Sequence, residues 1–308
     1  MDFPACRDTG TGWLKGLPPR SRLCSCLHLA PLLAPGLAGC STGVLDPHGP
    51  IGSAERVILL DSLAIMLVVV VPTILATVAF AWWFRSSNTR ARYLPDWAYS
   101  GRLEFIVWAI PALVVMFLGG IAWIGSHDLD PFMPIESKAT TLEVEVVSLD
   151  WKWLFIYPDK GVASVNELTI PVNTPVHFRL TSGTVMNSFF VPQLGSQIYT
   201  MAGMTSQLYL LADAPGDYRG ISAMFSGDGF SDMHFQVHAV SDADFAAWMA
   251  QVQAGGGTLD QAAYKTLVLP AVETAPHTYG AVESWMFETI EMLTTGNSHA
   301  MPSSTGSS

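Results

Sequence analysis

The segment GISAMFSGDGFSDMHF, residues 220–235, has the form of a metal-binding loop between two strands. A tight site for a metal such as copper needs soft or basic donors, chiefly thiolates and imidazoles, at fixed positions. Here the candidate positions carry Ser222, Ser226 and Phe230. Serine hydroxyls are neutral at pH 7 and bind copper poorly, phenylalanine has no lone pair, and the thioether of Met233 is only a weak axial ligand. The sequence therefore predicts that this loop binds no metal.

Cysteine and histidine positions elsewhere also argue against a metal site. The four cysteines all precede residue 41: Cys6, Cys24, Cys26 and Cys40. The rest of the chain therefore has no thiolate for a metal or a disulfide. His234 and His238 would lie about 13 Å apart on one face of a strand, too far to share one ion. His177 stands alone on an outward face, so we interpret all three histidines as surface residues.

Composition predicts membrane segments joined to an acidic globular part. Of the 308 residues, 50% are hydrophobic and only 13% are charged, which is typical of a chain with membrane-spanning helices. Residues 126–308 contain 19 Asp and Glu against 6 Lys and Arg. Such a surface would repel phosphates and excludes a nucleic-acid partner. We attribute the acidity to solubility rather than to a docking face for a basic partner.

The N-terminal residues predict a lipoprotein signal sequence. Two arginines precede the apolar run LCSCLHLAPLLAPGLAGC, a pattern typical of secretory signals. Its ending has the form of a bacterial lipobox, in which Cys40 is acylated and becomes the mature N-terminus; the alternative is a chance LAGC in a leader rich in Ala and Gly. We therefore assign residues 1–39 to a signal peptide and residues 40–62 to a periplasmic segment. Residues 1–19 fit no signal pattern, and we interpret them as an upstream extension.

Two apolar runs predict a membrane-spanning hairpin. Residues 63–84 and 105–125 are each long enough to cross the roughly 30 Å hydrocarbon core as a helix. The loop between them, residues 85–104, contains four arginines and one aspartate before Glu104. The positive-inside rule makes this loop cytoplasmic, so both ends of the hairpin face outwards. Residues 126–308 are then periplasmic, in agreement with an acylated cysteine on the same side.

Residues 126–240 predict an all-β domain. Short strands with period-two alternation, such as TLEVEVVSL and PVHFRLTS, are bounded by Gly, Pro and Asn, which favours a β-sandwich or Greek-key barrel. In the first of these strands, Glu143 and Glu145 occupy the face opposite the apolar residues. Residues 241–295 return to a helical period, and the tail at residues 296–308, rich in Ser, is predicted to be disordered.

Together these segments resemble subunit II of the haem–copper respiratory oxidases. The resemblance runs from about Leu45 to Gly296, and it is carried by LEFIVWAIP, DWKWLFIYP, VMNSFFVPQLGSQIY and PGDYRGISAMFSGDGFSDM. It implies a membrane α-helical hairpin followed by an all-β cupredoxin-like Greek-key barrel with C-terminal helices. In the cytochrome c oxidases of this family the barrel holds a binuclear copper centre, CuA. Its ligands come from a histidine before S-F-F-V-P and from a C-x-E-x-C-G-x-x-H-x-x-M loop.

Matched position by position, the ligand positions of CuA carry other residues in this chain, with one exception. The first histidine falls on Asn187, the two cysteines on Ser222 and Ser226, the glutamate on Met224 and the second histidine on Phe230, while the methionine is kept as Met233. Strand alternation predicts that this methionine packs towards the barrel core. The resemblance therefore implies a branch without CuA, similar to the ubiquinol oxidases of the cytochrome bo type. In that branch quinol gives electrons directly to haem in subunit I.

On this resemblance we expect a non-redox subunit of a proton-pumping ubiquinol oxidase of the aerobic respiratory chain, in a bacterial inner membrane. No cofactor is expected on this chain; haems and copper are expected in subunit I. The expected partners are subunit I, other oxidase membrane subunits and membrane lipid, and not cytochrome c. The alternative is a stand-alone membrane-anchored lipoprotein whose cupredoxin-like domain binds a partner or ligand. Three predicted anchors disfavour that alternative, because a free lipoprotein needs only one.

Two further positions gain a role from the resemblance alone. Glu104, in L-E-x-x-x-W-x-x-P, matches the glutamate at the mouth of the family's K-type proton pathway. A solvated carboxylate that favours the helix N-terminus is the equally open alternative. Trp151 and Trp153 occupy the aromatic run that relays electrons in the copper-containing relatives. Without copper beside them, we interpret both as packing or interface residues.

Overall fold

The structure is a computed structural model that describes residues 43–92 and 94–294. The predicted signal peptide at residues 1–39, the predicted acylation site Cys40 and the tail at residues 296–308 lie outside the described residues.

Two long apolar helices form the predicted hairpin, α1 (Pro50–Trp83) and α2 (Gly101–Asp128). Both are long and apolar enough to cross a membrane. They pack against each other where Gly125 faces Ile58, so closely that a Cβ at this glycine would lie 2.7 Å from the isoleucine Cδ1. Helix α1 begins thirteen residues before the predicted span at 63–84. The uncharged run marks only the part suited to lipid, whereas the helix begins at a proline, which favours the first turn.

The extra turns of α1 are held by the β domain. The backbone N–H of His48 donates to the Gln193 carbonyl at 2.7 Å, and that of Gly52 donates to the Leu194 carbonyl at 3.1 Å. Ser196 donates a hydrogen bond to the Glu55 carboxylate on the second turn. In the segment predicted as a periplasmic N-terminal stretch at residues 40–62, the residues from Pro50 onwards are therefore helical and joined to the β domain.

In the part of the chain that the structure describes, twelve strands make two mixed sheets. The strands are β1 (Leu142–Leu149), β2 (Lys152–Tyr157), β3 (Val162–Val165), β4 (Glu167–Pro171), β5 (Val176–Ser182), β6 (Asn187–Phe190), β7 (Ile198–Thr200), β8 (Ser206–Leu210), β9 (Gly216–Ser222), β10 (His234–Val240), β11 (Gly257–Leu259) and β12 (His277–Val282). The larger sheet has the order β11-β12-β3-β2-β1-β5-β8 and the smaller one β4-β10-β9-β6-β7. Within them, β1 runs parallel to β5 and β4 parallel to β10.

The main core lies between the two sheets. Its largest members are aromatic, and the rings of Trp153, Phe155, Phe189 and Phe235 contact one another at centroid distances of 5.1–6.5 Å. Gly220 on β9 is required by this packing, because a Cβ there would lie 2.1 Å from the Phe235 ring. The structure thus confirms an all-β domain, built as two facing sheets.

A second core covers the other face of the larger sheet. Three helices follow the last strand of the smaller sheet: α3 (Asp242–Gly255), α4 (Gln261–Leu267) and α5 (Met286–Thr294). Helices α4 and α5 bury the side of β1 and β2 that faces away from the smaller sheet. The predicted helical region 241–295 also contains β11 and β12. These strands extend the larger sheet because β12 pairs with the edge of β3, which would otherwise be unpaired.

Candidate functional site

The candidate metal loop lies at one end of the smaller sheet. Asn187 begins β6 and Ser222 ends the neighbouring strand β9. Residues 223–229 leave that strand, Phe230–Asp232 form a short 3-10 helix, and Met233 precedes β10. The fold brings Ser222 next to Asn187, and Ser226 next to Met233.

Asn187 and Ser222 form a buried, neutral hydrogen-bond network. The side chain of Ser222 donates to the Asn187 Oδ1 at 3.2 Å and lies 3.3 Å from the Met224 carbonyl. The Asn187 amide in turn donates to the Val185 carbonyl at 3.1 Å. Both residues are almost wholly buried, at 0% and 5% exposure. Their polar atoms are satisfied by one another and by the backbone, as buried polar groups require.

Ser226 and Met233 form a second, weaker contact beside this network. The Ser226 hydroxyl lies 3.8 Å from the Met233 sulfur, within the range of a weak hydrogen bond to a thioether. Met233 is 2% exposed and belongs to the core between the sheets, in agreement with the strand alternation. Phe230 is directed elsewhere: its ring contacts Phe225 at 5.6 Å.

Trp151 covers the loop. It has a φ of +62°, a conformation that is uncommon for a side chain of this size. Its indole Nε1 donates to the Ser226 carbonyl at 3.2 Å. Its ring lies against Gly229, where a Cβ would come within 2.3 Å of the indole Cδ2. Trp151 thus packs on the loop, and Trp153 is fully buried in the core beneath it.

The residues of the loop do not fit a copper centre. The side-chain donors here are an amide, two hydroxyls and a thioether, and copper centres of the CuA type require thiolates and imidazoles. Within residues 43–92 and 94–294, no group of three or more His, Cys, Asp or Glu side chains is placed to hold a metal ion. The amide and one hydroxyl are already engaged with each other, so binding a metal would break the network.

Glu104 lies in the first turn of α2, exposed, at the loop end of the hairpin. Its backbone N–H donates to the Ser100 carbonyl at 3.0 Å. Among the described residues, no basic side chain forms an ion pair with its carboxylate.

A charged cluster that sequence reasoning missed lies on the other face of the larger sheet. Glu145 is expected on a polar face by alternation, yet its side chain is only 8% exposed. It pairs with Arg179 at 2.8 Å, and Arg179 also lies 3.6 Å from Glu288 on α5 and 4.9 Å from the centre of the Phe287 ring. Burial raises the pKa of Glu145 to about 7; Arg179 opposes this rise, and the carboxylates of Glu288 and Glu143 add to it. Helix α5 creates this environment by covering the strand.

The interpretation of His177 as an isolated surface residue was wrong, because its side chain contacts both a carboxylate and an aromatic ring. Its Nδ1 lies 2.7 Å from the Glu143 carboxylate, and its ring stacks on Tyr209 at 4.3 Å. The parallel pairing of β1 and β5 sets Glu143 directly beside His177. A signal existed in the sequence, since acidic and basic residues alternate in the same phase on both strands, but only the strand order makes them neighbours.

The chain combines a two-helix membrane hairpin with a two-sheet domain whose loop of metal-site form lacks thiolates and imidazoles. The comparisons with known proteins identify its class as the second subunit of a terminal oxidase. The model of the family described as cytochrome c oxidase subunit II, periplasmic domain, matches residues 120–240. The chain is 51% identical to ubiquinol oxidase subunit 2 of Acetobacter aceti over 272 residues, which cover 88% of each chain.

Other relatives of this chain are also second subunits of quinol oxidases. The chain is 46% identical to cytochrome bo(3) ubiquinol oxidase subunit 2 of Pseudomonas aeruginosa over 85% of this chain and 78% of the relative. It is 36% identical to quinol oxidase subunit 2 of Bacillus cereus over 82% of this chain and 87% of the relative. The chain therefore belongs to the family of ubiquinol oxidase subunit 2. It is a membrane-anchored subunit of an oxidoreductase complex, with a periplasmic domain.

Proposed function

We propose that this chain is the copper-free subunit II of a proton-pumping ubiquinol oxidase in a bacterial inner membrane. Electrons pass from ubiquinol to haem and copper in subunit I and then to O₂, and no electron passes through this chain. The observation that carries the proposal is the network of Asn187 and Ser222, which fills two CuA ligand positions with neutral, mutually bonded groups. We assign Met224, Ser226, Phe230 and Met233 to the remaining positions of that former centre.

The role of the chain is then structural. The faces of α1 and α2 are exposed over most of their length, with no buried residue in the most apolar window of either helix. Such faces need lipid or other helices, so we propose that they pack against subunit I and other membrane subunits of the oxidase. The contacts of α1 with the Gln193–Ser196 loop would fix the periplasmic domain relative to those helices.

Purification of the tagged chain from its native membranes in mild detergent tests this function. We expect the preparation to show a reduced-minus-oxidised haem spectrum and to consume oxygen with ubiquinol but not with reduced cytochrome c. Oxygen uptake with cytochrome c alone would contradict the copper-free assignment. A haem-free chain that purifies alone would instead favour a lipoprotein that binds a partner or ligand.

We further propose that residues 1–39 are a signal peptide and that Cys40 carries the lipid, palmitate included, in the mature chain. The lipobox sequence and the position of Cys40 before the periplasmic start of α1 support this. Intact mass measurement of the purified chain would show an N-terminal acylated cysteine. Cys40→Ala should remove the added mass, and an unchanged mass would contradict the assignment.

Glu104 is our candidate for proton entry. Its exposed place in the first turn of α2, with no basic partner among the described residues, supports this proposal. Glu104→Gln should slow quinol-driven oxygen uptake by the assembled oxidase without changing its haem content. Glu136→Gln is a suitable control, because Glu136 is a carboxylate beyond the other end of the same helix. Equal rates of oxygen uptake for both variants would mean that Glu104 only stabilises the N-terminus of the helix.

A further inference from the structure

The turn of the hairpin lines an open pocket that the proposed function does not use. The chain folds back directly after α1 and leaves a space of about 630 Å³. Phe84, Arg85, Asn88, Arg92 and Trp97 are among its lining residues. The Asn88 side chain bonds the Trp83 carbonyl, and its backbone N–H donates to the Arg85 carbonyl at 2.9 Å. The pocket is therefore built by local hydrogen bonds of the turn.

Positive charge in this pocket lacks a protein counter-charge. Arg85 is oriented by a bond from its Nε to the Ser87 hydroxyl at 2.9 Å, and its guanidinium carbon lies 5.0 Å from the centre of the Trp82 ring. Within residues 43–92 and 94–294, no carboxylate forms an ion pair with Arg85 or Arg92. Asp96 is the acidic residue of this loop, and it too has no ion pair there. Two arginines among the lining residues of one pocket favour a phosphate ligand, because arginine donates paired hydrogen bonds to phosphate.

The position of the pocket relative to the membrane indicates which molecule supplies the phosphate. It opens at the end of α1, just beyond Trp82 and Trp83, and tryptophans of this kind favour the membrane interface. Its walls include Phe84, Leu94 and Trp97, whose side chains are between 58% and 59% exposed. A soluble anion would gain nothing from exposed apolar walls. A phospholipid would place its phosphate on the arginines and its glycerol and first methylenes on these walls.

We propose that the hairpin turn is a binding site for one anionic phospholipid of the cytoplasmic leaflet, with Arg85 and Arg92 holding the phosphate. Polybasic pockets beside the cytoplasmic ends of membrane helices attract anionic lipid in general. Arg85 and Arg92 line the pocket together with the polar residues Ser86 and Asn88. The site would fix the depth of the hairpin in the membrane independently of the periplasmic domain.

The test compares two whole oxidase complexes: one carries both Arg85→Gln and Arg92→Gln, and the other is unaltered. Both are delipidated and titrated with phosphatidylglycerol, and native mass spectrometry counts the bound lipids. We expect the unaltered complex to bind one more phosphatidylglycerol than the double variant at equal lipid concentration, with at least tenfold weaker binding at this site in the variant. Arg102→Gln is the matched control, since Arg102 lies on α2 and does not line the pocket.

Three results would overturn the proposal. Equal lipid counts in the unaltered complex and the double variant would mean that the two arginines do not hold the lipid. Phosphatidylcholine that binds the unaltered complex as tightly as phosphatidylglycerol would mean apolar contact alone, and displacement of the lipid by inorganic phosphate would identify a free-anion site. The last two comparisons need no variant, so they hold even if the double variant fails to assemble. A variant with both Arg85→Lys and Arg92→Lys should bind the extra lipid more weakly than the unaltered complex and more tightly than the double glutamine variant, because both charges remain and the paired hydrogen bonds are lost.

Discussion

Two buried polar networks in the β domain differ in charge. At one end of the smaller sheet, Asn187 and Ser222 are neutral and satisfy each other. On the outer face of the larger sheet, Glu145 is buried with Arg179, and two further carboxylates lie nearby. Burying a neutral, hydrogen-bonded pair costs little, whereas burying a carboxylate costs several kcal/mol unless it is paired or takes up a proton. The former metal positions are thus filled without charge, while the face under α5 keeps a titratable group.

The largest expected effect would convert the neutral network into a metal site. Asn187→His and Phe230→His, Ser222→Cys and Ser226→Cys, with Met224→Glu, restore the donors that copper requires on a loop already held by Trp151. We expect the purified chain to bind copper and to become coloured through thiolate-to-copper charge transfer. Visible spectra and metal analysis check this.

The matched control keeps Ser226 and carries the other four changes, because a binuclear centre needs both thiolates. It should not show the binuclear spectrum. A folded five-residue variant that remains colourless and free of copper would show that the loop has moved away from ligand geometry.

The next effect concerns the charged network. Arg179→Gln leaves Glu145 buried with no cation, so we expect a loss of about 2–3 kcal/mol in the free energy of unfolding at pH 8. The loss should shrink at pH 5, because Glu145 can then take up a proton. Urea unfolding of the purified chain, followed by tryptophan fluorescence, measures both values. An equal loss at both pH values would mean that the arginine acts through its contact with Phe287 rather than through charge.

Much of the architecture could be predicted from the sequence, for reasons visible in particular residues. Long uncharged runs identified the hairpin, and the motif frame identified Asn187, Ser222 and Met233 as neighbours. The start of α1 at Pro50 could not be predicted from hydropathy, because the contacts of His48 and Gly52 with the β domain hold those turns. The burial of Glu145 depends on a helix that follows it by about 140 residues, and strand alternation alone carries no such information.

A smaller effect is a change with pH. Since the folded pKa of Glu145 is raised from 4.5 to about 7, the folded chain keeps this proton where the unfolded chain loses it. The stabilisation is complete below the unfolded pKa and is lost as pH rises through the folded pKa, so stability should fall by about 2 kcal/mol between pH 5 and pH 8. Glu145→Gln should flatten this dependence. Glu136→Gln is the control, because Glu136 is exposed and forms no ion pair among the described residues. A slope that persists in Glu145→Gln would mean that another group titrates.

The smallest loss of stability is expected in the neutral network of Asn187 and Ser222. Ser222→Ala removes one donor from Asn187 and should cost about 1 kcal/mol, the usual net value of a neutral hydrogen bond. Because no partner titrates, this loss should be the same at pH 5 and at pH 8. Ser231→Ala is the control, since that serine is exposed in the same loop and its hydroxyl donates to its neighbour Asp232. A loss that varied with pH would mean that the network at the former metal positions holds a charge after all, and the distinction between the two networks would fail.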